Sequence, residues 1–384
     1  MQWKPMAAAA IALVCGACAN ASGATGSAAK ASVRGGPPAM NATALAATHW
    51  RADHIGSPGP ITADAHGTVV LTGVNVVALD HDGTTQWTTP VPELGIQYPA
   101  LGGGLVVVST VVDDAHGAPS GAFVALDRTT GAIRWRLPVT GEPGPVTITS
   151  TRVFAATSNG VVRARRRDGA PLWSVQVPGQ ISSRGNLAVD AETDTLAFVV
   201  QVENREWFLD SRDAGDGHET GAFDLGAGDP PSAVAAAGAG RMVVGDGDTH
   251  ELLRVDLHDR KVGAALPTDD GFDPASVPAV DHDLAVVVDR GGGVTAMDLG
   301  DGHERWHAAL GGPVLDARPL ISSDRVAVAR WLGPIAVLGR ADGRSLRFAG
   351  APDGLPASFA FDGDRIVESL RLARPDRVEA WSAP

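Results

Sequence analysis

Cysteine is nearly missing from this chain of 384 residues: there are two, Cys15 and Cys18, both close to its start. Past Cys18 there is no material for a disulfide, a thiolate metal site or a cysteine nucleophile. Lysine is almost as scarce, with only Lys4, Lys30 and Lys261, and the net charge is −13. So acidic a surface disfavours nucleic acid and polybasic contact with a membrane. Long apolar runs are lacking too. The one near the start, Met6 to Cys15, is too short to span a bilayer as a helix. No segment sustains a helical period with caps, which leaves an all-β reading. The histidines (His49, His54, His66, His81, His116, His218, His250, His258, His282, His303 and His307) are scattered, and no pair at zinc spacing has a third ligand nearby. Residues 49–384 are nonetheless long enough to bury a core without covalent staples.

The start reads as a targeting segment. Lys4 is its only charge, an apolar run follows, and small Gly16 and Ala17 precede Cys18. This fits the h-region and cleavage site of a secretory signal over residues 1–17. It resembles a bacterial lipobox, with Cys15 where Leu or Val is usual. Cys15 itself is the poorer acceptor, because bulky Leu13 and Val14 would sit at its cleavage site. The expectation is lipidation at Cys18, which would place the protein outside the cytoplasm and tether it to the cell membrane. Each buried lipid methylene adds about 0.8 kcal/mol to such anchoring. Residues 18–48, rich in Ala, Gly and Ser, read as a flexible linker. Scarce lysine beside abundant Arg, Ala and Gly resembles the bias of a high-GC, actinobacterial genome.

What the rest of the chain does contain is a phrase that returns. Val124-Ala125-Leu126-Asp127 leads to Gly131 and Trp135, and Thr295-Ala296-Met297-Asp298 leads to Gly302 and Trp306. Val77-Ala78-Leu79-Asp80 leads to Gly83 and Trp87, one residue shorter. A fourth copy keeps Ala164, Gly169 and Trp173 but has Arg166 in the Asp place. Short β-branched runs bounded by Gly, Asp, Pro and Asn surround each copy and read as strands. Four antiparallel strands in about 40 residues make one propeller blade. Degenerate units fit between Trp173 and Trp306, with third strands expected at Trp207-Phe208-Leu209-Asp210 and Leu253-Arg254-Val255-Asp256, the latter with Ala264 in the Trp place. A seventh unit runs from Ala336 through Gly343 to Arg347. The chain's last strand, around Arg377 to Trp381, lacks a fourth, and Thr48 to Arg51 with Trp50 lacks a third. Joined, they make an eighth blade. The expected fold is therefore an all-β, eight-bladed β-propeller of four-stranded antiparallel blades, over residues 49–384, with the ring closed by N- and C-terminal strands in one blade.

These residues resemble the PQQ-like repeat, Ala-x-Asp-x-x-x-Gly-x-x-x-Trp, and the plan of a lipobox followed by eight blades is similar to BamB-like envelope lipoproteins. The resemblance implies that each Trp docks between neighbouring blades. Trp50, Trp87, Trp135, Trp173 and Trp306, with Asp80, Asp127, Asp298, Gly83, Gly131, Gly169 and Gly302, are then structural. Quinoprotein dehydrogenases share the repeat and add PQQ with calcium. This chain lacks their vicinal cysteines and long insertions, and no run supplies the roughly six oxygens a hard cation needs. No cofactor and no metal is expected. Gly291-Gly292-Gly293 reads as a hairpin turn, since no helix follows to cradle a phosphate. Asp246-Gly247-Asp248 and Asp80-His81-Asp82-Gly83 read as Asp-Gly turns rather than calcium loops. Neither Ser150 nor Ser182-Ser183 has a marked activating base.

Function is therefore expected on a loop face. Links between second and third strands vary, while the Gly turns on the opposite face are nearly uniform, and variable loops on a rigid scaffold carry recognition. The candidate partner-binding residues are Asp113 and Asp114 in a long early link, Trp207, Arg330 and Trp331. The leading expectation is a monomeric, non-enzymatic scaffold that docks an envelope or membrane protein. A small-molecule or glycan sensor using the central channel, and a PQQ-dependent dehydrogenase, are the alternatives.

Overall fold

The computed structural model describes residues 48–382, apart from 54, 96, 114–118, 182–186, 203–205, 228–233, 239, 246–251, 260, 264–276, 282, 290, 312–313, 315–318, 331–333, 350–354 and 372–376. The expected signal, Cys18 and most of the linker lie outside these residues, as do Asp114, Asp246, Asp248, Ala264 and Trp331. Among the described residues no helix is long and apolar enough to cross a membrane.

Strand β1 (Thr48–Asp53) comes first in the chain but belongs to the last blade. Blade 1 is β2 (Pro58–Asp64), β3 (Gly67–Thr72), β4 (Asn75–Leu79) and β5 (Thr85–Pro90). Blade 2 is β6 (Ala100–Gly102), β7 (Leu105–Asp113), β8 (Pro119–Asp127) and β9 (Ile133–Thr140). Blade 3 is β10 (Pro143–Ile148), β11 (Arg152–Thr157), β12 (Val161–Arg166) and β13 (Pro171–Gln176). Blade 4 is β14 (Gln180–Ile181), β15 (Ala188–Asp190), β16 (Thr195–Gln201), β17 (Glu206–Asp213) and β18 (Glu219–Ala227). Blade 5 is β19 (Ala235–Gly238), β20 (Arg241–Gly245), β21 (Leu252–Asp256) and β22 (Lys261–Val262). Blade 6 is β23 (Ala279–Asp281), β24 (Leu284–Val288), β25 (Gly293–Asp298) and β26 (Glu304–Ala309). Blade 7 is β27 (Leu320–Ile321), β28 (Arg325–Val328), β29 (Ile335–Gly339) and β30 (Ser345–Ala349). Blade 8 is β31 (Leu355–Asp362), β32 (Arg365–Arg371) and β33 (Arg377–Ser382), with β1 as its fourth strand.

The closing blade is as the two chain ends imply. β1 runs antiparallel to β33, pairing Trp50 with Ala380 and Asp53 with Arg377. The second strands are continuous apolar runs, such as Gly67–Thr72 and Leu284–Val288, because both faces of each inner sheet are covered by neighbouring blades. The core is accordingly divided between blades. Val70, Val77 and Leu79 of blade 1 pack with Ala360, Val367 and Val378 of blade 8. Leu105, Val107 and Phe123 of blade 2 pack with Val153 and Ala155 of blade 3.

Blade 4 departs from the expected pattern twice. Its first strand is split into β14 and β15, which both pair with β16. Its third strand also runs past Asp210 to Asp213, and the turn that follows is Asp213 to Gly217. The motif aspartate of this blade is therefore Asp213, not Asp210. The place of the Trp, eight residues after Asp213, is held by Gly221.

Candidate functional site

The two faces of the ring are built differently. On one face lie the turns between third and fourth strands. Asp127 accepts the backbone N–H groups of Thr129 and Thr130 on Oδ1, at 3.0 and 2.8 Å, while Gly131 N–H returns to the Asp127 carbonyl at 2.9 Å. Asp80, Asp213, Asp256 and Asp298 cap their turns in the same way. Arg134 completes this at Asp127, 2.5 Å from Oδ2. That guanidinium, together with the N–H groups of Thr130 and Thr129, lowers the Asp127 carboxyl to about 2. Arg305 pairs with Asp283 and Asp298 and likewise lowers both.

In five blades the glycine that ends the turn carries the indole of the preceding blade: Gly83, Gly131, Gly169, Gly217 and Gly343. Gly131 and Gly217 have φ of +72° and +81°, a region that favours glycine. A Cβ there would meet Trp87 at 2.6 Å and Trp173 at 2.7 Å. Each indole N–H then donates to the carbonyl of the residue after the motif position. Trp50 reaches His81 at 2.7 Å, Trp87 reaches Arg128 at 3.0 Å, and Trp135 reaches Arg167 at 3.0 Å. Trp173 reaches Ala214 at 3.1 Å, and Trp306 reaches Arg340 at 2.7 Å. Blade 5 offers an arginine to its neighbour instead. Arg254 Nη1 donates to the carbonyls of Leu299 and Gly300, both at 2.8 Å, and Leu299 is the residue after Asp298.

The same residue also reaches back with its side chain, a feature the repeat pattern did not announce. Arg128, 1 % exposed, forks onto Asp64 of blade 1 with Nε 3.0 Å from Oδ2 and Nη2 2.8 Å from Oδ1. Arg340 pairs with Asp281 of blade 6, Arg167 donates to the Gly103 carbonyl at 2.6 Å, and His81 Nδ1 lies 2.6 Å from Asp362. The signal was there to be aligned: the place after the motif position is His or Arg in several copies. This face is thus stitched in both directions, Trp forward and Arg or His backward.

The opposite face holds the links between second and third strands and the crossovers from blade to blade. Here the hairpin of blade 2 stands out. β7 and β8 stay paired through Val111 with Gly121, Val112 with Ser120 and Asp113 with Pro119. The crossover from blade 1 lies along it, with Leu94 bridging to Thr110. Val74 and Tyr98, exposed at 59 % and 38 %, are on this face, while Ile133 and Leu172, exposed at 51 % and 41 %, follow the Gly131 and Gly169 turns of the other. Asp113 ends β7. Arg330 is half-buried in a bridge with Val314, next to Trp331, which lies outside the described residues. Trp207 requires a correction. The pairing of β16 with β17 extends to Gln201 and Trp207, so the indole is in a strand, 6 % exposed, packed with Val199, Leu209 and Phe223. It is a core residue and offers no face to a partner.

Nothing converges into a reactive centre among the described residues. One group of carboxylates and histidine comes together, Asp213, Asp216 and His218. It is a turn in which one oxygen of each carboxylate is already engaged: Asp213 Oδ1 accepts Gly215 N–H at 2.7 Å, and Asp216 Oδ1 accepts His218 N–H at 3.0 Å. The His218 contacts also lower the Asp216 carboxyl. Three side chains at an exposed turn fall short of the roughly six oxygens that calcium takes, so these residues do not fit a PQQ–calcium site. Gly291 to Gly293 form a turn closed on Asp289, whose Oδ1 accepts Gly293 N–H at 2.7 Å.

Comparison with known proteins agrees with the architecture. Residues 74–213 and 213–362 match the family described as outer membrane protein assembly factor BamB. No curated protein sequence matches the chain. Among solved structures, the crystal structure of BamB from Moraxella catarrhalis superposes with a TM-score of 0.64 at 15 % identity, over 88 % of this chain and 100 % of that one. The computationally designed Ika8 protein superposes with a TM-score of 0.68, also at 15 % identity, over 87 % of this chain and 99 % of that one. At such identity the likeness concerns the fold.

Proposed function

The chain belongs to the family of the outer membrane protein assembly factor BamB, and from that membership we propose a non-enzymatic scaffold that binds a protein partner at the cell envelope. In this reading a lipid on Cys18 holds the ring to the membrane, and residues 18–48 give it reach. The observation that carries the reading is the asymmetry of the two faces. One spends its polar groups on repeated bonds between blades, from Trp50 to Arg340. The other presents unlike links and a lengthened hairpin at Asp113. A rigid ring with one irregular face suits recognition rather than chemistry. Arg330 and Trp331 are the residues proposed to meet the partner, being a cation and an aromatic side by side. Replacing Arg330 by Glu and Trp331 by Ala should abolish recovery of the partner from native membranes while leaving the melting midpoint near wild type. Undiminished recovery would remove this pair from the interface.

A further inference from the structure

Each third strand turns two side chains toward the preceding blade, at the third and first places before its motif position. In five blades these are apolar or hydroxyl: Val77 and Leu79, Val124 and Leu126, Leu253 and Val255, Thr295 and Met297, Ala336 and Leu338. Blade 4 has Asp210 and Arg212, which neutralise each other with Nη2 2.9 Å from Oδ2. Blade 8 has Glu379, paired with Arg377, and Trp381. Blade 3 has two cations, Arg163 and Arg165.

Their direction is fixed by register. Arg163 pairs with Ala155 and Arg165 with Val153. Ala155 and Val153 pack against Leu105, Val107, Phe123, Ala125 and Val139 of blade 2. The wall facing the two guanidinium groups is therefore apolar. Arg165 Nη1 donates to the Gly169 carbonyl. Its Nε, and Nη1 of Arg163, are buried without an acceptor among the described residues. No carboxylate of the described residues pairs with either one. Burial, and then the charge of Arg165, push the Arg163 guanidinium below its ordinary range. Orphaned donors and like charges side by side are costly between packed blades.

We propose that the slot between blades 2 and 3 binds a carboxylate, supplied by an acidic segment of a protein partner. One carboxylate offers two oxygens in a plane and can bridge two guanidinium groups. Its single charge and methylene stem suit an apolar wall better than a phosphate, which loses more hydration on entry. Ser174, opposite Arg163 on the outer strand, is exposed, so Arg163 lies near the rim of the ring. This is apart from the face that carries Arg330, so each site can fail without the other.

Calorimetric titration of the full chain with a blocked tri-glutamate peptide, at fixed salt, tests the site. Binding should weaken more than tenfold in Arg163→Met and stay within twofold in Arg166→Met, whose guanidinium is exposed at the end of the same strand. Three results would overturn the proposal: no binding by the wild type, equal losses in the two variants, which would mean a diffuse positive field, or inorganic phosphate binding as tightly as the peptide, which would assign the slot to a free anion. The first and third are read on the unaltered protein and do not depend on how a variant folds.

Discussion

If the indole of one blade rests on the glycine of the next, then glycine and tryptophan must be energetically coupled, and blade 4 offers the cleanest case. Gly217 has φ +81°, and the nearest atoms a Cβ there would meet are those of Trp173, with Cδ2 at 2.7 Å and Cε3 at 2.8 Å. Gly217→Ala then carries about 1–2 kcal/mol for the left-handed backbone and about 1–3 kcal/mol for forcing the ring aside. Trp173→Ala loses a half-buried indole packed near Phe154 and a bond to the Ala214 carbonyl, toward the lower end of about 3–5 kcal/mol. In the double variant the ring is gone and only the backbone cost of Gly217→Ala remains. Urea midpoints of the four forms should therefore give a double-variant loss smaller than the sum by about 1–3 kcal/mol. Gly363→Ala is the control: φ is +60° with nothing within 4 Å of a new Cβ, so it should show the backbone cost of about 1–2 kcal/mol alone. Single losses that add to within about 0.5 kcal/mol would mean that ring and glycine do not press on one another.

The closing blade and the turn carboxylates make further predictions. Deleting residues 46–56 removes β1 and leaves β33 with an open edge, so it should lower the melting midpoint far more than loss of a tail; an unchanged melting curve would refute the closure. Asp127 is held at about 2, below its ordinary 3.8, so the native state takes up its proton later than the unfolded chain. The stability it supplies is complete above the ordinary value and is lost as pH falls toward about 2. Arg134→Ala removes the largest cause of that lowering and should move the acid-unfolding midpoint to higher pH, and a midpoint that does not move would contradict the assignment.

The ring was legible because its most costly side chain recurs. Trp50, Trp87, Trp135, Trp173 and Trp306 mark fourth strands, and unmatched strands at the two ends could be paired by arithmetic. Blade 4 resisted because Gly221 stands where the tryptophan would be, and Asp210 lies where an early end of the strand would put the motif carboxylate. Arg254 hides a similar exchange, an arginine from a third strand doing what an indole does elsewhere. The backward reach of Arg128 to Asp64 was harder to read, since its partner lies 64 residues away, although His or Arg recurs after the motif position at His81, Arg128, Arg167 and Arg340. Trp207 misled for a physical reason: next to Glu203, Asn204 and Arg205 it looks like a loop aromatic, but cross-strand pairing with Gln201 buries it.

The central claim is that partners meet the irregular face and not the stitched one. A photo-crosslinking amino acid can be placed in turn at Val74 and Tyr98 on the first, and at Thr129 and Asp301, both exposed, on the second. Irradiated in native membranes, Val74 and Tyr98 should yield a cross-linked protein partner and Thr129 and Asp301 should not. Cross-links confined to Thr129 and Asp301 would contradict the account.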